Sequence, residues 1–553
     1  MRKSIKWSLS LGGVLIMVLV FNNRQLASMM FGEPAYMNAH LSPGNVKVPT
    51  TRSIDWKTHS AFADSVCTRW AERSISERNL DGKGDVPRIL LAKLRMNHDI
   101  AEVNKTILKM SAWGISGSSW VLNKKGDYDF SITIFTTILS LFGDQPDLLY
   151  PATKDYLLNV LLTEAGNNFR TTAPRTLGLV AETENHVLMT EGSRYLKNRW
   201  LMNHGEKDPR FDNVQNGMED KLLVFLARMK TNGLYEFNSL PYIGYTITAL
   251  LNLEAFGSEK LKTEARNVLD YMNWTYALGS YQLKHYPPMR RRYEKASIQE
   301  ITTDYQSIFM KMWLSFSPVT AYDKDISSGE VHALMGAIMP YRPADKVVEM
   351  IFDKGDGYFV KLGHGPKSSP EIFSAGKKFL ISAGGVNRGK LSIIVARPIT
   401  LFLKDHASKL SQTFHLAGPG TDFMKWNNTG VYENFACAAG PVSVPEGYKA
   451  ITENASWRIF STPDSLLIAV HSSEDFGLIA LFKMQDASIL CAELKKANPN
   501  PERLKNGFQF PDGHKSTYDV LAPKDKWVLV SSDGLLLDRD FDKWPLIDGR
   551  ISE

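Results

Sequence analysis

Apolar residues recur every three or four positions from about residue 54 to residue 345. This spacing places them on one face of a helix. Several of the segments end in glycine, which often follows the last turn of a helix. The clearest segments are VNKTILKMSAWGI (103–115), FSITIFTTILSLFG (130–143), KDYLLNVLLTEAG (154–166), MEDKLLVFLARMKTNG (218–233) and YTITALLNLEAFG (245–257). The pattern predicts many successive helices, which can pack as antiparallel hairpins.

From about residue 346 the pattern changes to short runs rich in β-branched residues, separated by Gly, Pro, Asp and Asn. Such runs are typical of strands in antiparallel sheets. They include KFLISAGG (378–385), LSIIVARPITLFL (391–403), WRIFSTPDSLLIAVHS (457–472), FGLIALFKM (476–484) and KWVLVSSDGLLL (526–537). The change falls within residues 345–363, where Gly355, Asp356 and Gly357 predict a hairpin turn.

The two patterns together predict an α+β chain of several domains. A length of 553 residues exceeds one compact domain, and a hydrophobic content of 43% is ample for large cores. We expect a leader with a linker at residues 1–45, a helical domain at 46–345 and an antiparallel β domain at 346–553. Our hypothesis is that the hairpins close into an (α/α)n toroid followed by a β-sandwich, although periodicity does not establish closure.

The first residues resemble an export signal. Arg2, Lys3 and Lys6 precede an apolar run from Trp7 to Phe21. This run is shorter than the roughly 20 residues of a membrane span, so we favour a signal peptide and keep a membrane anchor as the alternative. The body of the protein is therefore expected to be secreted, periplasmic or attached to the cell surface.

Charge and cysteine content narrow the classes of partner. The net charge of +6 permits an anionic partner, and no nucleic-acid-binding motif is present, so we expect no nucleic acid partner. The three cysteines exclude a disulfide scaffold and leave one candidate pair, Cys437 with Cys491. No zinc motif occurs, and NLDGKGDVP (79–87) matches a surface turn better than a calcium loop, so no metal is expected.

Three segments carry candidate chemistry. The first is Asn185-His186, which follows Glu184 at the head of a predicted helix. The second, GLYEFNSLPYIGYTITALL (233–251), supplies a polar loop before a helix, with Glu236, Asn238, Tyr242 and Tyr245. Each has a structural alternative, in which Asn185 caps the helix, His186 is packed in the core and the tyrosines form a packing corner.

The third segment, LKHYPPMRRRYEKASIQEITTDYQS (283–307), contains three adjacent arginines and two tyrosines. Arg291, Arg292 and Tyr305 are the candidates here. Adjacent side chains point in different directions, so at most one or two of the arginines face a common cleft. The alternative for each arginine is a solvated basic turn.

Asn, His, Tyr and Arg in this order suit β-elimination on a uronic-acid polysaccharide. The C5 proton of a uronate becomes acidic only when its carboxylate is neutralised, which Asn, Arg or a protonated His can do. A neutral His or a tyrosinate can take the proton, and a tyrosine hydroxyl can protonate the leaving oxygen. The reaction needs no cofactor.

Asn185-His186 resembles the catalytic Asn-His pair of alginate lyases and heparinase-II/III-like polysaccharide lyases. In the toroid alginate lyases a catalytic Tyr follows some fifty-odd residues later, and here Tyr242 follows His186 by 242 − 186 = 56 residues. Chondroitin-AC and hyaluronate lyases have an Arg at a similar distance after the Tyr, a position matched by Arg291 and Arg292. These families pair an α/α toroid with an antiparallel β domain.

The resemblance implies roles for the candidates. Asn185 would bind the carboxylate, His186 would neutralise it or act as base, and Tyr242 would move the proton. Arg292 would be the electrostatic stabiliser, and Glu184, Glu236, Asn238, Tyr245, Arg291 and Tyr305 would contact substrate. The chain departs from the alginate-lyase pattern, because Glu236 and Asn238 stand where that pattern has an arginine before the tyrosine.

Two other functions remain open. A glycoside hydrolase needs two carboxylates, for which Glu184, Glu236 and Asp304 are the candidates. A non-catalytic glycan-binding or envelope protein could instead stack sugars on its tryptophans. The sequence favours the extracytoplasmic lyase, but it does not specify the sugar, endo or exo action, or the oligomeric state.

Overall fold

A computed structural model describes residues 41–75, 80–83, 85–240, 242–290, 298–365, 369–387, 394–416, 426–427, 430–523 and 525–551, together with Gly13. Within these residues the chain is mixed α+β, with helices first and a strand-rich C-terminal region. The coarse fold class predicted from the sequence is therefore confirmed. The predicted leader lies outside the described residues apart from Gly13 and residues 41–45.

Between residue 41 and the C-terminus, the described residues form twelve helices before the first long strand and a thirteenth among the strands. They are α1 Ala61–Ala71, α2 Val86–Arg95, α3 Ile100–Lys109, α4 Asp129–Phe142, α5 Pro151–Tyr156, α6 Glu184–Asn203, α7 Met218–Asn232, α8 Tyr242–Phe256, α9 Glu259–Gly279, α10 Tyr305–Leu314, α11 Glu330–Ile338, α12 Asp345–Phe352 and α13 Ala487–Ala497. Helix α5 continues as a π-helical turn, Leu157–Leu161.

Alternate helices contact one another along the chain. Helix α2 packs on α4, α4 on α6, α6 on α8, and α8 on α10 and α11, while α11 returns to α2. Helices α3, α7 and α9 pack against members of this series. The apolar faces predicted from the three-to-four spacing meet in one buried cluster, to which α2, α4, α6 and α8 all contribute.

The strands are short and their pairings within the described residues are antiparallel. They are β1 Ser280–Tyr281, β2 Lys284–His285, β3 Met289–Arg290, β4 Tyr358–Leu362, β5 Glu371–Gly376, β6 Phe379–Gly384, β7 Val386–Asn387, β8 Ile394–Val395, β9 Arg397–Leu403, β10 Phe414–Leu416, β11 Trp426–Asn427, β12 Gly430–Tyr432, β13 Phe435–Ala439, β14 Thr452–Glu453, β15 Arg458–Ser461, β16 Leu466–Ser472, β17 Phe476–Lys483, β18 Gly507–Gln509, β19 Lys515–Tyr518, β20 Leu529–Ser532, β21 Leu535–Leu536 and β22 Asp548–Ile551.

Two six-stranded sheets dominate the C-terminal region. The first has the order β10-β9-β6-β5-β4-β22 and the second β12-β13-β17-β16-β15-β14. A four-stranded sheet, β18-β19-β20-β21, follows. In the first sheet Phe373 pairs with Ser382 and Val360, and Ile381 pairs with Leu401. Strand β3 pairs with β8, so the helical part reaches into the strand-rich part through a two-stranded ladder.

The first six-stranded sheet is buried on both faces. One face, which includes Val360 and Phe373, belongs to the same core as the helices. The opposite face, which includes Phe359, Ile372 and Ile381, shares a second core with the other six-stranded sheet. Burial on both faces explains why its strands are nearly continuous apolar runs, since neither face needs polar residues for contact with water.

Several detailed expectations were wrong. Residues 355–357 do not form a hairpin turn, because they connect α12 to β4. Cys437 and Cys491 are buried free thiols, as is Cys67, so the candidate disulfide is absent. Helix α12 ends at Phe352, within residues 345–363, where the sequence predicts the change from helices to strands. No helix in the described part of the chain is long and apolar enough to cross a membrane.

Candidate functional site

Asn185 and His186 lie in the first turn of α6. The helix begins at Glu184, and the N-cap residue is Thr183 in extended conformation, so Asn185 is not the cap. Asn185 is fully buried, and its Oδ1 accepts a hydrogen bond from Thr183 Oγ1 at 2.5 Å. Its Nδ2 has no acceptor among the described residues. A buried amide donor without an acceptor costs about 1–3 kcal/mol unless a ligand supplies one.

His186 is held by a carboxylate from the neighbouring helix. Its Nδ1 lies 2.7 Å from Asp129 Oδ2 at the start of α4, while its Nε2 lies 3.9 Å from Asp127 Oδ1, outside hydrogen-bond range. Burial alone would lower the pKa of His186, but Asp129, Glu182 and Glu236 together raise it to about 9. His186 is therefore an imidazolium at neutral pH, with Nε2 as its second donor.

The acidic residues around His186 are fixed by the segment before α4. Glu182 Oε2 accepts from the backbone N–H of Ser118 at 2.9 Å. Asp127 has a φ of +73° and binds the backbone and hydroxyl of Ser119, each at 2.8 Å. It also pairs with Lys83. Asp127 thus fixes the turn before α4, whose N-cap residue is Tyr128.

Residues 235–240 connect this cluster to the strand-rich region. Glu184 Oε1 accepts from the backbone N–H of Glu236 at 2.8 Å. Asn238 has a φ of +52°, and its Nδ2 donates to Glu371 Oε1 on β5 and to the Pro288 carbonyl, both at 3.0 Å. Of the predicted residues, Glu184, Glu236 and Asn238 are therefore brought together.

His364 is a functional candidate that the sequence analysis missed. Its Nε2 lies 2.8 Å from Glu371 Oε2, and its ring stacks on Phe237 with centroids 4.0 Å apart. Its Nδ1 has no hydrogen-bond partner among the described residues. The sequence signal is weak: the histidine lies between Gly363 and Gly365 after a strand.

Arg290 is buried, contrary to the expectation of a solvated basic turn. Its guanidinium carbon lies 4.4 Å from the ring centroid of Tyr235 and 5.6 Å from that of Phe237. This stacking places a positive charge beside residues 235–240. The predicted residues Arg291 and Arg292 lie outside the described residues.

Tyr245 and Tyr305 belong to a path of contacting rings. Tyr245 lies 4.4 Å from Phe130, whose ring is 5.6 Å from His186. On the other side His332 lies 5.0 Å from Tyr245 and 4.3 Å from Tyr305. Burial lowers the pKa of His332 well below its ordinary value, and Arg88 adds to this effect. His332 is thus a neutral histidine that packs between the two predicted tyrosines.

The first turns of several helices meet at this place. Asp129 on α4 contacts His186 on α6, and Glu184 on α6 contacts the backbone just before α8. Tyr242 is the first residue of α8 and is half-buried. Tyr305 begins α10 and contacts His332 in α11. Converging helix N-termini carry partial positive charge and favour an anionic ligand.

A cavity of about 230 Å³ adjoins these residues. Asn238 and Tyr305 both line it, so the structure brings these two predicted residues to one wall. His285, Asp304 and Arg397 line it as well. Asn185, His186 and Tyr242 are not among its lining residues. In the described part of the chain, no three His, Cys, Asp or Glu side chains are placed to hold a metal ion.

Comparison of the chain with protein-family models, with curated proteins and with solved structures returned no match.

Proposed function

We propose that the protein is an extracytoplasmic polysaccharide lyase that cleaves a uronic-acid-containing polymer by β-elimination. The observation that carries the proposal is the pair formed by Asn185 and His186. An amide donor that has no acceptor among the described residues and an imidazolium belong to consecutive residues in the first turn of α6. Two such donors are what a carboxylate needs in order to be neutralised.

The proposal includes a closed arrangement of the helices and a packed pair of sheets. The contacts from α2 through α4, α6, α8 and α11 back to α2 support an (α/α)n toroid. The core shared by the two six-stranded sheets supports a β-sandwich. In this arrangement the candidate residues lie at the end of the toroid that faces the sandwich, since Asn238 contacts Glu371.

The residues divide the reaction between them. Asn185 and protonated His186 bind the uronate carboxylate and stabilise the enolate-like state that forms when C5 loses its proton. A pKa of about 9 favours neutralisation over proton abstraction as the role of His186, because an imidazolium cannot accept a proton. Tyr242 takes the C5 proton and delivers it to the leaving glycosidic oxygen. The C5–H and C4–O bonds break, and a C4–C5 double bond forms.

Two groups outside the predicted set support the substrate class. Arg290 places a buried positive charge beside residues 235–240. His364 approaches the same residues from the strand-rich region and presents a ring nitrogen without a partner among the described residues. Arg292 remains a proposed electrostatic stabiliser. We propose an anionic polysaccharide as the partner and a secreted, periplasmic or surface-anchored location.

The test is to follow ultraviolet absorbance while the protein acts on alginate, hyaluronan, chondroitin, heparin and bacterial uronic-acid polymers, because elimination leaves an absorbing unsaturated uronate. We expect Asn185→Ala, His186→Ala and Tyr242→Phe each to lower the rate about 10²–10⁴-fold. His514→Ala, which changes an exposed histidine paired with Asp533, serves as the matched control and should retain the rate. A rate unaffected by all three changes would contradict the assigned roles.

A glycoside hydrolase is the second candidate, because Glu184 and Glu236 are both buried and are joined through a backbone hydrogen bond. Hydrolysis requires two carboxylates at the scissile bond. New reducing ends without ultraviolet absorbance, lost in Glu184→Gln or Glu236→Gln, would select this function. The absence of both signals, with polymer still bound, would select a glycan-binding protein.

A further inference from the structure

Two neighbouring loops expose four aliphatic side chains. Residues 119–126 lie before α4, and residues 171–181 lie before α6. The exposed fractions are 47% for Val121, 60% for Leu122, 94% for Leu177 and 77% for Leu179. A single exposed leucine is common on a protein surface, but several on adjoining loops indicate an interaction surface. We call these four side chains the apolar loop surface.

Side-chain hydrogen bonds join the two loops. Trp120 Nε1 donates to the Pro174 carbonyl at 2.9 Å. Arg175 Nη1 donates to the Leu122 carbonyl at 3.0 Å. In the first loop, Trp120 and Asn123 exchange two backbone hydrogen bonds, which hold the residues between them in a tight turn. The apolar loop surface is therefore one connected surface, and its two loops are fixed to each other.

The second loop exposes Leu177 in an unusual backbone conformation. Leu177 has a φ of +53°, in the left-handed region that a leucine rarely adopts. The turn is closed by a hydrogen bond from the Leu179 N–H to the Thr176 carbonyl at 3.0 Å. Leu177 therefore has an unfavourable conformation and gains no burial in return. Such an outlier at an exposed apolar residue points to a contact with a partner.

The charged side chains of the two loops are all basic. Residues 119–126 and 171–181 contain no Asp or Glu, and their charged residues are Lys124, Lys125 and Arg175, which are exposed. At the ends of the loops, Asp127 and Glu182 are buried. An apolar surface with exposed cations beside it is complementary to an anionic lipid bilayer, which has phosphate groups above an apolar interior.

A second exposed pair of leucines lacks this charge. Leu535 and Leu536 form β21 and are 74% and 83% exposed. Residues 531–538, which include this pair, contain Asp533 and Asp538 and no basic residue. Nothing in this segment attracts an anionic bilayer, so the pair serves as a matched control for exposed leucine alone.

We propose that the apolar loop surface docks on a bilayer that contains anionic phospholipids. The four aliphatic side chains enter the boundary between headgroups and acyl chains, and the three exposed basic side chains lie against the phosphates. The proposal does not depend on the lyase activity. Because the loops end at Asp127 and Glu182, which lie near His186, docking brings the candidate functional site close to the lipid surface.

The first experiment uses a fluorescent label on the full chain. The chain's three cysteines are buried, so a single exposed cysteine can be labelled selectively. Leu179→Cys carries nitrobenzoxadiazole on the apolar loop surface, and Leu536→Cys carries it at the control pair. With vesicles of phosphatidylcholine and phosphatidylglycerol, we expect a blue shift and brighter emission at position 179 and neither change at position 536. Because the label responds to its own surroundings, attachment of the N-terminal segment to the vesicle does not imitate insertion of the loops.

The second experiment titrates vesicles against variants of the chain that is labelled at position 179. Leu177→Ser should weaken vesicle binding about tenfold, because the leucine no longer transfers from water into the lipid. Lys124→Gln and Lys125→Gln should each weaken it roughly fivefold, since each removes one attraction to the phosphates. Lys495→Gln and Lys496→Gln, at an exposed pair in α13, should leave it unchanged. Thermal melting shows whether each variant keeps the fold.

The outcomes separate this inference from the proposed function, because vesicle binding needs no turnover. An unchanged label at position 179, or equal changes at positions 179 and 536, would overturn the inference. Equal binding to vesicles of phosphatidylcholine alone would also overturn it. A label at position 179 that responds to a polysaccharide and not to vesicles would assign the surface to substrate instead. Loss of vesicle binding in Leu177→Ser, with unchanged cleavage of a soluble polymer, would support docking as a separate property.

Discussion

The carboxylate of Asp129 determines the charge of His186. Burial favours the neutral imidazole, and a histidine in this position without acidic neighbours would have a pKa below its ordinary value. Asp129, in contact with Nδ1, makes the largest contribution that reverses this effect. The aromatic contact with Phe130 excludes water on one side of the ring. His186 is thus protonated although it is buried.

Asp129→Asn should lower the pKa of His186 by about 1–3 units, because the amide keeps the shape of the carboxylate and removes its charge. The measurement is an NMR titration of the imidazole resonances. The exposed His514, whose pKa is raised by Asp533, provides an internal control and should titrate unchanged. An unchanged pKa at His186 would mean that Glu182 and Glu236 suffice to hold its charge.

The same pKa predicts how stability depends on pH. The pKa of His186 is raised from 6.5 to about 9 in the folded protein, so folding stabilises the protonated form. Its contribution, about 3 kcal/mol at most, is complete below pH 6.5 and is lost as the pH rises through about 9. The decrease in unfolding free energy over this range should be smaller in Asp129→Asn.

At the scale of single residues, the sequence identified some members of the site and not their partners. Asn185-His186 stood out because the two residues are adjacent in the chain. Asp129 lies 57 positions earlier, and His364 lies in the strand-rich region, so neither contact has a local signal. The raised pKa of His186 depends on Asp129 and Glu236 as well as on the nearby Glu182, so it was not predictable from residues 182–196 alone.

At the scale of helices, two glycines have opposite surroundings. In α8, a Cβ added at Gly244 would lie 2.5 Å from ring atoms of His332. In α6, the three atoms nearest to a Cβ added at Gly192 all belong to the side chain of Leu253, at an ordinary contact distance of 3.6 Å. Gly244 therefore permits α8 and α11 to approach closely, whereas Gly192 has room for a methyl group.

Gly244→Ala should lower the free energy of unfolding by about 1–3 kcal/mol, because the buried His332 has to move against Tyr305 and Phe309. Gly192→Ala should raise it by about 0.5–1 kcal/mol, since alanine is the better helix former. Chemical denaturation of the two variants measures both values. If both substitutions changed the free energy of unfolding by the same amount, the contact with His332 would not be what makes alanine unfavourable at position 244.

The sequence predicted the long helices better than it predicted the helix with a π-helical turn or the shortest strands. The segment 218–233 was predicted as a helix, and α7 is Met218–Asn232, because its apolar spacing and final glycine agree with each other. The segment 154–166 was predicted as one helix, but the α-helix ends at Tyr156 and a π-helical turn follows. Strands β1, β2 and β3 were missed, because two-residue strands leave no periodic pattern.

At the scale of the whole molecule, the first six-stranded sheet joins the helices to the second sheet. Phe373 on β5 shows how closely the parts are packed, since a Cβ at Gly279 in α9 would lie 2.5 Å from its ring. The helical and strand-rich regions therefore share buried surface. Their boundary was visible in the sequence as a change of pattern, but their packing depends on contacts between residues far apart in the chain.

Phe373→Ala should destabilise the protein by about 3–5 kcal/mol and should shift the unfolding of helices and strands together, because the cavity opens in their common core. Calorimetry and circular dichroism of the same sample compare the two regions. Leu536→Ala, at a side chain that is 83% exposed, should change stability by less than about 0.5 kcal/mol. Two separate transitions in Phe373→Ala would contradict a shared core.

The hydrogen bond from Asn238 to Glu371 has a consequence for inheritance. Residues 235–240 lie in the helical part of the chain, but their positions depend on a carboxylate encoded more than a hundred codons later. A recombination event that replaced the strand-rich part with one from another protein would preserve Asn185 and His186. It would still displace residues 235–240, because Glu371 would be lost. The two parts are therefore expected to be inherited as one piece, and a chimera should recover function only when the incoming part carries a carboxylate at the position of Glu371.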